Sequence, residues 1–273
     1  TNAFRDFIVY RHIRSYLGLG RVTFAISAAA PISEDLLAFM RGIGVNIREA
    51  WGMSETSGVG TMQPDWGNSD GRVGFPVGSL EVKIADDGEV LFGGPTVFKG
   101  YYKNPKATAE TIQDGWLHTG DVGQIEADGS LTLIDRKKDI MINAAGKNLS
   151  PSLIENVMKA SPYIKECIMI ADKRPYATAL VQIDMDVVRL WAESQGIAYT
   201  TFRSLAENPG VQQLINKEVG KQNKSLARVE QLKKVYLLPK ELDHDDGEVT
   251  ATMKVRRSKV HEIYAEEIES LYA

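Results

Sequence analysis

The sequence of 273 residues contains one cysteine, Cys167, so no intramolecular disulfide can form and a disulfide-stapled secreted module is excluded. A reducing, cytoplasmic setting fits that count. Cys167 lies in the apolar run CIMIA and reads as a buried, inert thiol. Histidine is scarce too, and His12, His118, His244 and His261 are far apart. With no H-E-x-x-H pair and no G-x-S-x-G elbow, two common hydrolase signatures are absent. No run approaches the ~20 apolar residues of a membrane span, and no signal-peptide pattern is present. Excess positive charge is also missing: 32 basic against 36 acidic residues leave a net charge of −4, which disfavours non-specific nucleic-acid binding. The Gly-Lys pair at 146–147 lacks the upstream glycine and following hydroxyl of a phosphate loop. DHDDGE at 243–248 has its glycine one position early for a calcium loop and reads as a solvated turn. The first residue is Thr1, and the opening FRDFIVYRHIRSYLGLG reads as the middle of a domain, so a fragment is expected.

What is present follows two grammars. RVTFAIS (21–27) reads as a buried strand, ISEDLLAFMRGIG as an amphipathic helix capped by Ser33, and VNIREAW as a returning strand, a β-α-β opening. EVKIADDGEVLF and GQIEADGSLTLI each put Asp-Gly between alternating apolar residues and predict two hairpins. After Ile134 the pattern becomes α+β. SPSLIENVMKA predicts a helix with Ser150 as cap and Pro151 at its first position. YIKECIMIA, ATALVQIDM and KKVYLLP predict strands. DVVRLWAESQG, NPGVQQLINKEVGKQNKSL and VRRSKVHEIYAEEIESLY predict helices. The composition changes at Asp135, where the charged block Arg136–Asp139 (RKKD) stands between two apolar runs. Such a block is too costly to bury.

Three further stretches carry chemistry. WGMSETSG (51–58) offers an aromatic to stack on a base, Gly52 where a phosphate can approach, hydroxyls, and Glu55 as a magnesium ligand. An ordinary strand-to-loop turn has the same composition. GWLHTGDVG (115–123) sets Asp121 after a glycine, suited to accept two ribose hydroxyl protons, but Asp-rich turns are common. GEVTATMKVRR (247–257) carries Lys254 in a Thr-rich loop, where a lone lysine is usually a solvated charge.

In this order, SAAAP (27–31), WGMSET, WLHTGD, DRKKDIMINAAGKNLSP and TATMK resemble successive core motifs of the AMP-forming acyl-CoA synthetases of the adenylate-forming superfamily. The segment from Trp191 to Pro239 resembles the expanded C-terminal region of bacterial long-chain fatty acid members. The resemblance covers nearly the whole chain. It implies a fold of mixed α/β and α+β class: residues 1–134 as the C-terminal part of the large AMP-binding domain, 135–139 as a hinge, and 140–273 as a small mobile α+β domain. Two departures stand out. The family's Ser/Thr/Gly-rich phosphate loop, which precedes these motifs, is not here, so this chain alone is expected to form no acyl-adenylate. SAAAP also stands where many members carry glycines, and acyl specificity is not readable.

The resemblance further implies a long-chain fatty acid–CoA ligase using ATP, coenzyme A and Mg²⁺. Carried over by motif, Lys254 is the adenylation lysine. Ala29, Ala30 and Trp51 line the adenine site, with Gly52 beside them. Ser54 donates to phosphate, Glu55 holds magnesium, Asp121 and Arg136 grip the ribose, Lys138 is the pivot and Gly146 walls the coenzyme A channel. The expected partners are the fatty acid, ATP and coenzyme A, with no nucleic acid. Peripheral contact with the inner membrane face and a homodimer stay open. Two alternatives also stay open: a fatty acyl-AMP ligase serving a carrier protein, and a non-catalytic fragment acting as a binding module.

Overall fold

The computed structural model describes every residue except 1–4, 30, 31, 33, 66–70 and 252, and leaves out the side chains of Glu34 and Asp35. Ala30 and the expected cap Ser33 therefore lie outside the described residues. Two compact units divide the chain between Asp139 and Ile140.

The first unit opens with a π-helical turn, Asp6–Tyr10, running into α1 (Arg11–Tyr16). Strands β1 (Ala25–Ser27) and β2 (Ile47–Trp51) are parallel and joined through α2 (Glu34–Gly42), as the β-α-β pattern requires. β3 (Thr61–Met62) and β4 (Phe75–Pro76) extend this sheet antiparallel. The expected buried strand over 21–27 is corrected: only three residues form β1, and Phe24 and Ile26 are exposed. β1 is an edge strand, so the described residues cover it on one side alone.

A second sheet combines β5 (Glu81–Ile84), β6 (Glu89–Gly93), β7 (Ile112–Gln113), β8 (Trp116–Ile125) and β9 (Leu131–Arg136), in the order β5-β6-β8-β7 with β9 also on β8. Both predicted hairpins form. Their turns use Gly88 at φ +85° and Gly129 at φ +88°, a conformation that costs a side chain energy and glycine almost nothing. Between β6 and β7, α3 (Pro105–Thr111) starts where the Asn104 side chain accepts the Ala107 N–H. Leu80, Phe92 and Leu117 form the core here, with Trp51 and Met53 packed against it.

The β8–β9 pairing carries an irregularity that decides the geometry of the site. Asp121 faces Arg136 and Val122 faces Asp135, but Gly123 faces Leu133. Ile134 is the extra residue of a β-bulge, and it is 44% exposed although it ends an apolar run.

In the second unit, the short strands β10 (Met141–Ile142) and β11 (Asn148–Leu149) form a hairpin, and α4 (Pro151–Lys159) follows with Ser150 accepting the Leu153 N–H as its cap. A three-stranded sheet has β13 (Ala177–Ile183) at its centre, antiparallel to β12 (Ile164–Ile170) and parallel to β14 (Leu232–Leu237). β13 is buried along its whole length because both faces are covered. On one face Cys167 and Met169 pack with α4, α5 (Met185–Ser194), α6 (Phe202–Ala206) and α7 (Pro209–Gln222). On the other, Ile168, Ile170 and Leu180 meet α8 (Arg257–Ile263) and α9 (Ala265–Ser270). Burial pushes the Cys167 thiol well above its ordinary range, which suits an inert core residue. The single terminal helix expected over 255–272 is two helices. Tyr264, at φ −105° and ψ 30°, breaks it and turns a buried hydroxyl toward Glu248.

Candidate active site

Asp121 is the centre of the arrangement in the first unit. Its backbone N–H is taken by Thr119 Oγ1 at 3.1 Å, and that hydroxyl donates in turn to the Val90 carbonyl at 2.7 Å. The carboxylate is buried and accepts from both sides: Trp51 Nε1 reaches Oδ2 at 3.0 Å, and Arg136 Nε reaches Oδ1 at 3.0 Å. Burial raises the Asp121 carboxyl above its ordinary value, while Arg136 and Trp51 pull the other way. An ionised carboxylate has about four acceptor sites. Capacity therefore remains for two donors such as a vicinal diol, with the outer part of the half-exposed Arg136 beside them. Trp51 also stacks on Phe92, with ring centroids 5.0 Å apart, so its indole is fixed at both edge and face.

The MSETSG loop is fastened by the segment that follows β6. Phe98 N–H donates to the Glu55 carbonyl at 2.8 Å, Tyr101 Oη donates to Glu55 Oε1 at 2.6 Å, and Ser57 Oγ donates to the Thr96 carbonyl at 2.9 Å. Ser54 is exposed at the start of the 3₁₀ turn Ser54–Thr56. Gly52 has a strict steric reason: a Cβ there would lie 2.3 Å from the Gly58 carbonyl oxygen and 2.6 Å from the Gly60 nitrogen. Ala29 is exposed and holds φ +70°, the left-handed region where glycine is at ease. Among the described residues no three His, Cys, Asp or Glu side chains cluster as a metal cage. Glu55 nonetheless fits magnesium, which usually keeps several waters and binds through one or two carboxylates plus substrate phosphates.

A second carboxylate, which sequence reasoning missed, supports Asp121 from behind. Glu89, buried at the start of β6, accepts the Gly120 N–H at 2.8 Å, His118 Nδ1 at 3.1 Å and Lys137 Nζ at 3.2 Å. Lys137 also reaches Asp87 at 2.5 Å, and its backbone N–H donates to the Gly120 carbonyl at 2.8 Å. Gly120 is thus held at its N–H by Glu89 and at its C=O by Lys137 of the charged block. The one signal in the sequence was a glutamate opening an apolar strand straight after Asp-Gly. Burial pushes the Glu89 carboxyl up, but the His118, Gly120 and Lys137 hydrogen bonds outweigh it and the net shift is downward. With a folded pKa below the unfolded one, this stabilisation is complete above the unfolded value, about 4.3. It is lost as pH falls through the folded value. Full-length Glu89→Gln is therefore expected to lose less stability between neutral and acid pH than wild type. Thermal unfolding as a function of pH checks this, and parallel curves for the two proteins would contradict it.

Arg136 ends β9, and residues 136–139 form a β-turn closed by Asp139 N–H to the Arg136 carbonyl at 2.9 Å. Lys138 is its exposed third residue. Lys254 and Gly146 belong to the second unit. Lys254 is exposed on a tight hairpin, its N–H donating to Thr250 Oγ1 at 3.1 Å and its carbonyl accepting the Thr250 N–H at 2.8 Å. Gly146 holds φ +74° in the β10–β11 turn, where Asn143 Oδ1 accepts the N–H groups of Ala145 and Lys147. That turn alone asks for glycine, and the space a Cβ would enter is open.

A buried carboxylate with acceptor capacity to spare beside a fixed indole suits a diol-bearing ligand such as a nucleotide. Two family models match the chain: AMP-binding enzyme over residues 4–102 and AMP-binding enzyme C-terminal domain over residues 138–273. The chain belongs to the AMP-binding enzymes of the adenylate-forming superfamily. It is 45% identical over 270 residues to the putative fatty-acid–CoA ligase fadD11 of Mycobacterium tuberculosis, covering 98% of this chain and 47% of that protein. It is 38% identical over 268 residues to the long-chain-fatty-acid–CoA ligase FadD15 of Mycobacterium bovis, covering 98% of this chain and 44% of that protein. The chain thus spans about half the length of these curated relatives. Its fold is similar to the adenylation domain of a carboxylate reductase from Mycobacterium chelonae, with a TM-score of 0.77, 23% identity, and coverage of 99% of this chain and 41% of that one. Among the described residues no helix is long and apolar enough to cross a membrane.

Proposed function

We propose that this chain is the C-terminal part of a long-chain fatty acid–CoA ligase. The full enzyme joins a fatty acid to the α-phosphate of ATP, releasing pyrophosphate, and then passes the acyl group to the thiol of coenzyme A, releasing AMP. The observation that carries this reading is the similarity, over 98% of the chain, to relatives named fatty-acid–CoA ligases. The geometry adds support. Asp121 and Arg136 would hold the ribose, the Trp51 indole with Ala29 and Ala30 would border the adenine, and Gly52 leaves room beside them. Ser54 would donate to the phosphate. Magnesium, when bound through Glu55 and the phosphates, neutralises charge on the phosphoryl oxygens. Lys254 would bring its ammonium to the carboxylate and α-phosphate, where negative charge gathers in the first step. The turn around Gly146 would border the path of coenzyme A, and Lys138 would be the pivot between the two steps. The setting implied is cytoplasmic, with contact at the inner membrane face to collect the acid.

The full-length enzyme given a long-chain fatty acid, MgATP and coenzyme A is expected to yield AMP, pyrophosphate and acyl-CoA, separable by chromatography. Acyl transfer to a carrier protein in place of coenzyme A would favour the acyl-AMP ligase. An absence of pyrophosphate release with every long-chain acid tried would favour the binding module.

A further inference from the structure

Glu248 was expected in a solvated turn, yet its side chain is 0% exposed. Three donors from three places in the second unit converge on its carboxylate. Tyr264 Oη, at the break between α8 and α9, reaches Oε1 at 2.9 Å. Lys240 Nζ, just after β14, reaches Oε2 at 2.8 Å, and the Asp243 N–H reaches Oε2 at 3.0 Å. A buried carboxylate is stable only when so satisfied, and removing a partner leaves an uncompensated charge. The Glu248 main chain is as firmly used: its N–H donates to the Asp243 carbonyl at 3.1 Å, and its carbonyl accepts the Arg256 N–H at 2.8 Å.

The Glu248–Arg256 bond closes the base of the hairpin that carries Lys254. Above it Val249 and Val255 form a single antiparallel bridge, and Thr250 binds the Lys254 backbone from both sides. Near its base the hairpin packs Val249 and the half-buried Val255 against the core beside α8 and α9. Val249 is buried, while Met253, at φ +60°, is 66% exposed. At the exit Arg257 is tied to the buried Glu155 at 2.6 Å. The aim of Lys254 is therefore set from below, chiefly by the carboxylate at the entry.

We propose that Glu248 is a positioning residue for Lys254: by gathering Tyr264, Lys240 and the Asp243 amide, it fixes the 248–256 hairpin so that the Lys254 ammonium is presented in one place. This rests on the reading of Lys254 as the adenylation lysine. Misplacement of a reacting group by about 1 Å can cost on the order of 10²-fold in rate. Lys254 reaches out beyond the buried Val249 and the half-buried Val255, so loss of the anchor at the base acts on its position before its identity.

The test uses the full-length enzyme and measures two half-reactions separately: pyrophosphate release on adenylation, and acyl-CoA formation from supplied acyl-AMP. Glu248→Ala is expected to slow adenylation by on the order of 10²-fold and to leave thioester formation near wild type. Tyr264→Phe removes one of the three donors with little loss of packing. It should show the same split at smaller size, and serves if Glu248→Ala does not fold. In a Lys254→Ala background Glu248→Ala should add no further loss, because its effect runs through the missing ammonium. Equal slowing of both half-reactions by Glu248→Ala and Tyr264→Phe would make the carboxylate merely structural and overturn the proposal. So would wild-type adenylation in both, or a full additional loss in the double variant. If Lys254→Ala itself shows no split, the reading of Lys254 fails first, and the proposal falls with it for that separate reason.

Discussion

Lys254→Ala in the full-length enzyme is expected to lower the adenylation rate by about 10²–10³-fold, the loss typical of removing one preorganised donor to developing charge. Attack of a carboxylate on the α-phosphate brings two anions together, and charge collects on the phosphoryl oxygens before pyrophosphate leaves. An ammonium aimed at that point is worth more in the transition state than in the ground state, so the loss belongs in kcat. The structure is consistent with such a task. Lys254 is exposed at a defined place on a hairpin, and among the described residues its ammonium pairs with no carboxylate. Thioester formation from supplied acyl-AMP starts after pyrophosphate has left and should be much less affected. An equal loss in both half-reactions would show that Lys254 is structural or serves the two steps alike.

Lys138→Pro is expected to divide the half-reactions the other way, with thioester formation falling by on the order of 10²-fold and adenylation far less. Proline holds φ near −65° and also pushes the preceding residue out of the α region. Dihedrals at both Lys137 and Lys138 would be restricted. The substitution deletes no hydrogen bond among the described residues, since the turn is closed by the amide of Asp139 and tied to Gly120 by that of Lys137. Arg136 stays paired with Asp121 across the strands, so the proposed ribose grip should survive. With Lys138 as the proposed pivot, a rearrangement between the steps is what should be lost, because Lys137 is held by Glu89 and Asp87 while Lys138 is exposed. Lys138→Ala, which keeps the backbone free, should run both half-reactions near the wild-type rate. A folded Lys138→Pro enzyme with both rates unchanged would dismiss Lys138 as the pivot.

The parts of the molecule legible in the sequence are those specified by neighbours along the chain. Asp87-Gly88 and Asp128-Gly129 announced their hairpins because the turn chemistry is local, and Ser150-Pro151 announced a helix start for the same reason. Motif order located Trp51, Asp121 and Arg136, which the fold brings within hydrogen-bonding distance. What stayed hidden depends on distant partners. Glu248 sits in a run of Asp and Gly that reads as solvated, and its burial comes from Tyr264 and Lys240 folding over it. Glu89 looked like an ordinary strand residue until Lys137 and Gly120 arrived on either side. The terminal helix kept its helical periodicity through Tyr264, but a buried hydrogen bond to Glu248 accompanies a break there. No local pattern could show that Ile134 is supernumerary, since alternation along one strand does not reveal how many residues the partner strand offers.

That extra residue gives the site a rule of parity. Along a strand, side chains change face at every step, so the count of residues between a fixed partner and Arg136 decides which way Arg136 faces. With Ile134 bulged out of the ladder, Arg136 comes opposite Asp121; paired without the bulge, the same sequence would set Asp135 there and offer a carboxylate to a carboxylate. The bulge, and not the exposed Ile134 side chain, therefore decides which residue meets Asp121. Pairing β8 with β9 one residue out of register through 131–136 would misplace the proposed ribose grip even with every residue type correct.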